Sequence, residues 1–380
     1  MNNKNRYITT PIRYMAMLLV GMILTFSLVA FLVTSPLNFT SRTVNGIIGN
    51  SAINQVLILA LNSENHYFYQ KQSMNSPSLL KLSFESMTNF KINDIRTLLG
   101  RELPGLSIYN TEIAVAGKGT NITNLPVESG PPLDIYLKDR EIAEENLKQP
   151  EEKGKQEGTI KSPKEKSVYI YHSHSWEAFL PFIKGATKPN EAVSSNQRAN
   201  VIAVGDLLSH ELTSKGIGVE HNKDNVAANL KSQKLDYKSS YNLSRKDVQE
   251  AMGSNDKLKL LIDIHRDSQR KPITTTTIQG KEYARLFFIV GKEHKNFEKN
   301  LEYAKEINKK LEEKYPGLSR GVFIKGKDEG NGIYNQDISD KSLLIEFGGV
   351  DNNLTELSNT IKAFAEVFSD NYWEAEEVNG

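Results

Sequence analysis

The chain of 380 residues contains no cysteine. Disulfides and thiolate chemistry are thereby excluded, and any bound metal must be held by His, Asp or Glu. A surplus of charge is missing too. Lys and Arg number 47 against 46 Asp and Glu, a formal net charge of +1, so nothing pulls the whole chain toward nucleic acid or an acidic partner. An uncharged apolar stretch of membrane-spanning length occurs near the N-terminus: "YMAMLLVGMILTFSLVAFLVTS", from Tyr14 to Ser35. At about 1.5 Å per residue in a helix it covers the roughly 30 Å of bilayer hydrocarbon.

That stretch predicts a single uncleaved membrane anchor. Lys4, Arg6 and Arg13 precede it and Arg42 is the first basic residue beyond it, which places the short tail in the cytoplasm and the remaining chain outside. A cleaved signal peptide would have a shorter apolar core and a small-residue cleavage site; "FLVTSPLNF" has none. The expected organisation is a cytoplasmic tail (1–13), an anchor (14–35), a small α-rich membrane-proximal domain (36–137), a charged linker (138–166) and a main domain (167–376). The linker, "KDREIAEENLKQPEEKGKQEGTIKSPKEK", is dense in charge and poor in apolar residues, so it reads as solvated. His66 stands alone in the membrane-proximal region and reads as a surface or packing residue.

Beyond the linker, apolar runs alternate with amphipathic ones. "SVYIY", "LKLLIDI", "ARLFFIV" and "KSLLIEF" are continuous apolar runs of the kind found in strands buried on both faces. Between and after them lie four helix patterns, the first carrying Val201, Val204, Leu207, Leu208 and Leu212 on one stripe before Gly216. The alternation predicts an α/β fold, a three-layer domain with a largely parallel sheet.

In open α/β sheets, ligands gather beyond the carboxyl ends of the strands. Three predicted strands end in ionisable residues: "VYIYHSHSWE" with His172, His174 and Glu177; "LLIDIHRDS" with Asp263, His265 and Asp267; and "LLIEFGGVDNN" with Glu346 and Asp351. Two imidazoles and a carboxylate make a Zn²⁺ site with a fourth position open to water, and a further carboxylate can move that water's proton. His174, Glu177 and His265 are the expected metal ligands, and Glu346 the expected catalytic base. His174 is preferred over His172 because His174 and Glu177 form a His-x-x-Glu pattern, which also occurs in metallo-carboxypeptidases. His172 is left an outer-sphere or substrate role. Asp263 either orients His265 or faces the sheet interior. Arg266 contacts a substrate carboxylate or pairs with a neighbouring acid. His221, in "VEHNKD", is a spare candidate read as structural.

Together with the N-terminal anchor, "YIYHSHSWEAFLP", "LLIDIHRDS", "YPGLSRG" and "YNQDISDKSLLIEFGGVDNN" resemble the stage II sporulation protein P family of endospore formers. The resemblance covers nearly all of the region from Val168 onward. It implies an amidase-like fold and a zinc-dependent N-acetylmuramoyl-L-alanine amidase that degrades peptidoglycan during engulfment of the forespore. It also implies endopeptidase activity on stem-peptide crosslinks, and partnership with stage II sporulation proteins D and M at the septal membrane. Compared with lytic amidases of this class, the zinc histidines fall at His174 and His265 and the catalytic glutamate at Glu346. The metal-binding glutamate of those enzymes falls near Asn196, a poor ligand, so either Glu177 substitutes for it or the site is built differently. Two other readings stand beside this one: a zinc carboxypeptidase, and a non-catalytic wall-binding scaffold, against which the presence of Glu346 counts.

Overall fold

The sheet is built around a strand with no exposed residue. β4, Leu260–Asp267, is buried along its whole length, as its unbroken "LLIDI" run requires of a central parallel strand. The computed structural model describes residues 20–22, 24, 112–126, 140–148, 163, 165–327 and 329–379. Around β4 the strands are β1 (Glu112–Ala116), β2 (Val168–Tyr171), β3 (Val219–His221), β7 (Leu286–Gly291), β8 (Ser319–Lys325) and β9 (Lys341–Gly349), with a separate hairpin of β5 (Thr275–Ile278) and β6 (Lys281–Ala284). The large sheet has the order β1-β8-β7-β9-β4-β2-β3. The pairs β2–β3, β2–β4, β4–β9 and β7–β8 are parallel, whereas β7–β9 and β1–β8 are antiparallel. The sheet is therefore mostly parallel, and the "ARLFFIV" strand runs against its neighbour β9.

Helices cover both faces. Alternate residues of the strands, such as Val168 and Ile170 of β2 and Ile262 and Ile264 of β4, join the main core with α1 (Val201–Ser214), α5 (Phe297–Lys314) and α6 (Leu354–Asn379). Tyr169, Tyr171 and Leu261 point the other way and pack with Val248 of α3 (Ser240–Ser254). Two shorter helices, α2 (Val226–Ser232) and α4 (Lys271–Thr274), complete the set among the described residues.

The start and stop of α1 follow its sequence. The Asn200 side chain accepts from Ile202 N, satisfying one of the free amides of the first turn. At the other end Gly216, at φ +83°, lets its own N–H reach Thr213 O (3.0 Å) and that of Ile217 reach Leu212 O (3.1 Å). This paired closure needs a left-handed residue, and it delivers the chain into β3.

Two expectations about organisation change. Glu112–Ala116, placed by sequence in a membrane-proximal domain, is the edge strand β1 paired with β8. The start of the expected linker is also attached: Ile142 bridges Ile183, and Ile142 and Ala143 are buried. The described residues from Glu112 onward accordingly belong to one compact unit. Apart from Val20–Met22 and Leu24, which are helical, the anchor at 14–35 and the helix patterns at 54–90 lie outside the described residues. Among the described residues, no helix is long and apolar enough to cross a membrane.

Candidate metal centre

β2 ends at Tyr171, so both His172 and His174 lie on the turn beyond it. Ser173 pins that turn to the neighbouring strand. Its N–H donates to Asp263 Oδ1 (2.9 Å) and its hydroxyl to Asp263 Oδ2 (2.6 Å). The chain then doubles back, with Glu177 N donating to His174 O at 3.1 Å, and Glu177 accepts from Arg266 N of β4 at 2.9 Å. On the far side of β4, the register pairs His265 with Glu346 of β9. Three strand ends thus meet, as the parallel arrangement of β2, β4 and β9 dictates.

One donor atom from each of His174, Glu177 and His265 lies within 4.8 Å of the others. The Glu177 carboxylate stands between the two rings, with Oε1 3.2 Å from His174 Nδ1 and Oε2 3.4 Å from His265 Nδ1. Ligands about 2.0–2.1 Å from a tetrahedral zinc are separated from one another by about 3.3 Å; each ring is that far from one Glu177 oxygen, and the three residues as a set lie within 4.8 Å, so they would draw together on an ion. His265 presents its other nitrogen to Asp263 Oδ1 at 3.2 Å and to Ser173 Oγ at 2.9 Å, the carboxylate–histidine arrangement that orients a metal-bound imidazole. Beside the cluster, Glu346 Oε2 is buried with no hydrogen-bond partner; so is His174 Nε2, the ring nitrogen opposite the one that faces Glu177. Orphaned polar atoms in a buried site are costly unless something binds there.

The charges are arranged consistently. Burial works against ionising Glu177, but His265 and His174 outweigh it and hold the carboxyl well below its usual range. Burial likewise opposes a charge on His265, yet Asp263 and Glu177 raise its pKa well above the ordinary histidine value. A proton on His265 therefore supplies the positive charge these two carboxylates require, and a cation entering the site must displace it. Glu346 is pushed up to about 8, by burial first and then by the charge of Glu177.

Of the expected residues, His174, Glu177, His265 and Glu346 come together, and Asp263 takes the orienting role. His172 does not join them. Its ring nitrogens reach Ile264 O at 3.3 Å and His221 Nε2 at 2.8 Å. The Arg266 guanidinium donates to two backbone carbonyls, Asp267 O (3.2 Å) and Ala192 O (3.0 Å). Asp351 pairs with Arg270 at 2.9 Å, and Asn196 turns its side-chain oxygen to Arg198 N.

Sequence reasoning misses two features. Arg320 of β8 is buried against Asp267 and over the Phe287 ring, and no local pattern in "YPGLSRG" announces it. An aromatic wall of Trp176, Tyr237 and Tyr241 surrounds His174, with centroids 5.0, 4.9 and 5.2 Å from its ring. Tyr237 and Tyr241 come from a region whose strand or helix signals are weak.

Comparison with known proteins agrees with the resemblance seen in the sequence. Stage II sporulation protein P of Bacillus subtilis (strain 168) is 48% identical over 325 residues, covering 84% of this chain and 80% of its own. A solved structure, Cwp6 from Clostridium difficile, aligns over 54% of this chain and 29% of its own at 16% identity and a TM-score of 0.31, a likeness too slight to bear on fold or function. The family model for stage II sporulation protein P matches residues 93–369, a span that takes in β1 as well as every residue of the metal centre. The chain belongs to the stage II sporulation protein P family.

Proposed function

We propose that the chain is a zinc-dependent N-acetylmuramoyl-L-alanine amidase. In this reading it cuts the amide between the lactyl group of peptidoglycan and its stem peptide, and also cleaves stem-peptide crosslinks. Family membership gives the chain a part in sporulation. The finer reading adds that Tyr14–Ser35 anchors it in the cell membrane with the hydrolase outside, at the septum, thinning the wall during engulfment together with stage II sporulation proteins D and M.

The observation that carries the reading is the buried convergence of His174, Glu177 and His265 beside Glu346 on the adjoining strand. Zinc held by those three residues supplies Lewis acidity toward the scissile carbonyl and the attacking water. Asp263 and Ser173 fix the His265 ring, so that its Nδ1 keeps facing Glu177 and the ligand cluster. Glu346 accepts the proton of the attacking water and returns it to the departing alanine nitrogen, a role that needs a carboxylate whose affinity for a proton is near neutral. Burial of the whole group excludes bulk water from the proton's path.

The test uses intact sacculi and the purified chain. An amidase releases stem peptides bearing a new alanine amine. Release of terminal amino acids alone would mean a carboxypeptidase, and zinc uptake without any release would mean a scaffold. Glu346→Gln is expected to keep its zinc while turnover falls by about 10²–10⁴-fold; full turnover in that variant would remove Glu346 from the proton path.

A further inference from the structure

The groups assigned to catalysis are closed off. His174 and His265 are each 1% exposed, Glu346 5% and Glu177 8%. If the chain acts on glycan-borne amides as proposed above, a polymer-linked bond must reach an ion surrounded by these four side chains, and something covering them has to move.

Of the three aromatic rings around His174, Trp176 belongs to the ligand's own turn and Tyr241 to the 15-residue helix α3. Tyr237 is different. It sits half-buried on a single 3₁₀ turn, Tyr237–Ser239, at the end of the connection from β3 to α3. This connection, Asn222–Ser239, contains the seven-residue helix α2. Its apolar side chains, Val226, Ala227 and Leu230, pack with Trp176, Val193 and Leu243 in a small cluster separate from the main core. Polar ties add to this packing: Lys223 pairs with Asp206 of α1, and Asn222 Nδ2 donates to Tyr169 OH at 3.1 Å. Val226 N donates to Ser175 Oγ at 3.0 Å, and Gln197 Nε2 donates to Lys223 O at 2.8 Å. At its near end Asn222 N donates to Ile170 O at 2.8 Å, beyond the last β3 residue, which gives the segment a fixed root. At the other end Lys234 adopts a left-handed φ of 54° just before Tyr237.

We propose that Asn222–Ser239 is a cover over the metal centre, rooted at the end of β3 and at the start of α3, with Tyr237 as the side chain that seals His174. In the closed state Tyr237 lies 4.9 Å from the His174 ring and 5.9 Å from Trp176. Opening separates those contacts, breaks the Ser175, Gln197 and Asp206 ties, and lifts Val226, Ala227 and Leu230 off Trp176, Val193 and Leu243, while α1 and the sheet keep their packing. Such a short, separately packed segment belongs to the low-stability end of a domain, where access to a buried centre can be controlled.

Two measurements on the full chain decide it. Hydrogen exchange without metal or substrate is expected to show the amides of Val226–Ser232 exchanging about 100-fold faster than those of β4. Tyr237→Ala should speed them further and leave β4 unchanged. Equal protection of the two regions, or no response to Tyr237→Ala, overturns the cover. In the second measurement, zinc loss to a chelator should be roughly tenfold faster in Tyr237→Ala and unchanged in Tyr237→Phe, which keeps the ring stack. Equal rates in all three proteins would show that Tyr237 does not gate the centre. A chain that takes up no zinc overturns the proposed function instead, and hydrogen exchange still decides whether the segment opens as a unit.

Discussion

Two pairs of histidines stand at the ends of adjacent strands, and they differ in what lies between the rings. His174 and His265 face a shared carboxylate, Glu177, at 3.2 and 3.4 Å. His172 and His221 face each other directly, Nε2 to Nε2 at 2.8 Å, with Asp206 on the far nitrogen of His221 at 3.1 Å. Burial, followed by the facing His221 ring, lowers the His172 pKa well below the ordinary value, whereas carboxylates raise that of His265. The first pair, with Glu177, forms a group that could hold a cation; the second shares a hydrogen bond and fills space beneath α1. Residue type and strand position are alike in the two cases, so the placement of the acid decides which pair is a ligand set.

The largest effect should come from breaking the first pair. His265→Ala is expected to abolish zinc retention and peptidoglycan hydrolysis together, while His172→Ala leaves zinc stoichiometry unchanged, both read by metal analysis after gel filtration. Next comes Asp263→Asn, which removes the carboxylate that orients His265; zinc affinity should fall about 10–100-fold, measured by competition with a chelating dye. The second pair is broken sterically by Gly205→Ala. A Cβ there would lie 2.5 Å from His221 Nε2 and 2.8 Å from His172 Nε2, so denaturant melts should show a loss of about 1–3 kcal/mol with zinc retained. Asp206→Asn is the smallest change, about 0–1 kcal/mol for a largely exposed pair. Burial opposes ionisation of Asp206, but its bonds to His221 and Lys223 prevail and lower its pKa. Its contribution should therefore be present above the unfolded carboxylate range and disappear as pH falls through the lower folded value. The Asp206→Asn and unmodified curves should converge in acid.

Much of this comparison could be read from the chain, because it depends on local signals. The apolar runs around Ile170, Ile262 and Ile345 mark strands buried on both faces, and ionisable residues at their ends are conspicuous there. His-x-x-Glu at His174 and Glu177 likewise reflects a turn only three residues long. What was hidden depends on non-local pairing. The direction of β7 is set by its partner β9, and β1 is recruited from before the charged segment by β8. Arg320 is explained by distant partners: Asp267, 53 positions earlier in sequence, Asn124 O and the Phe287 ring. His172 shows the same limit: two residues from a ligand, it turns to a histidine 49 positions away.

In the proposed reading, two imidazoles and one carboxylate, His174 and Glu177 from the turn after β2 and His265 from β4, hold a single ion. X-ray absorption at the zinc edge of the loaded chain tests it most directly. The expected first shell is two imidazole nitrogens and at least one carboxylate oxygen at about 2.0–2.2 Å, with one imidazole lost in His174→Ala and none lost in His172→Ala. A shell that loses an imidazole when His172 is replaced, or keeps both when His174 is replaced, would contradict it.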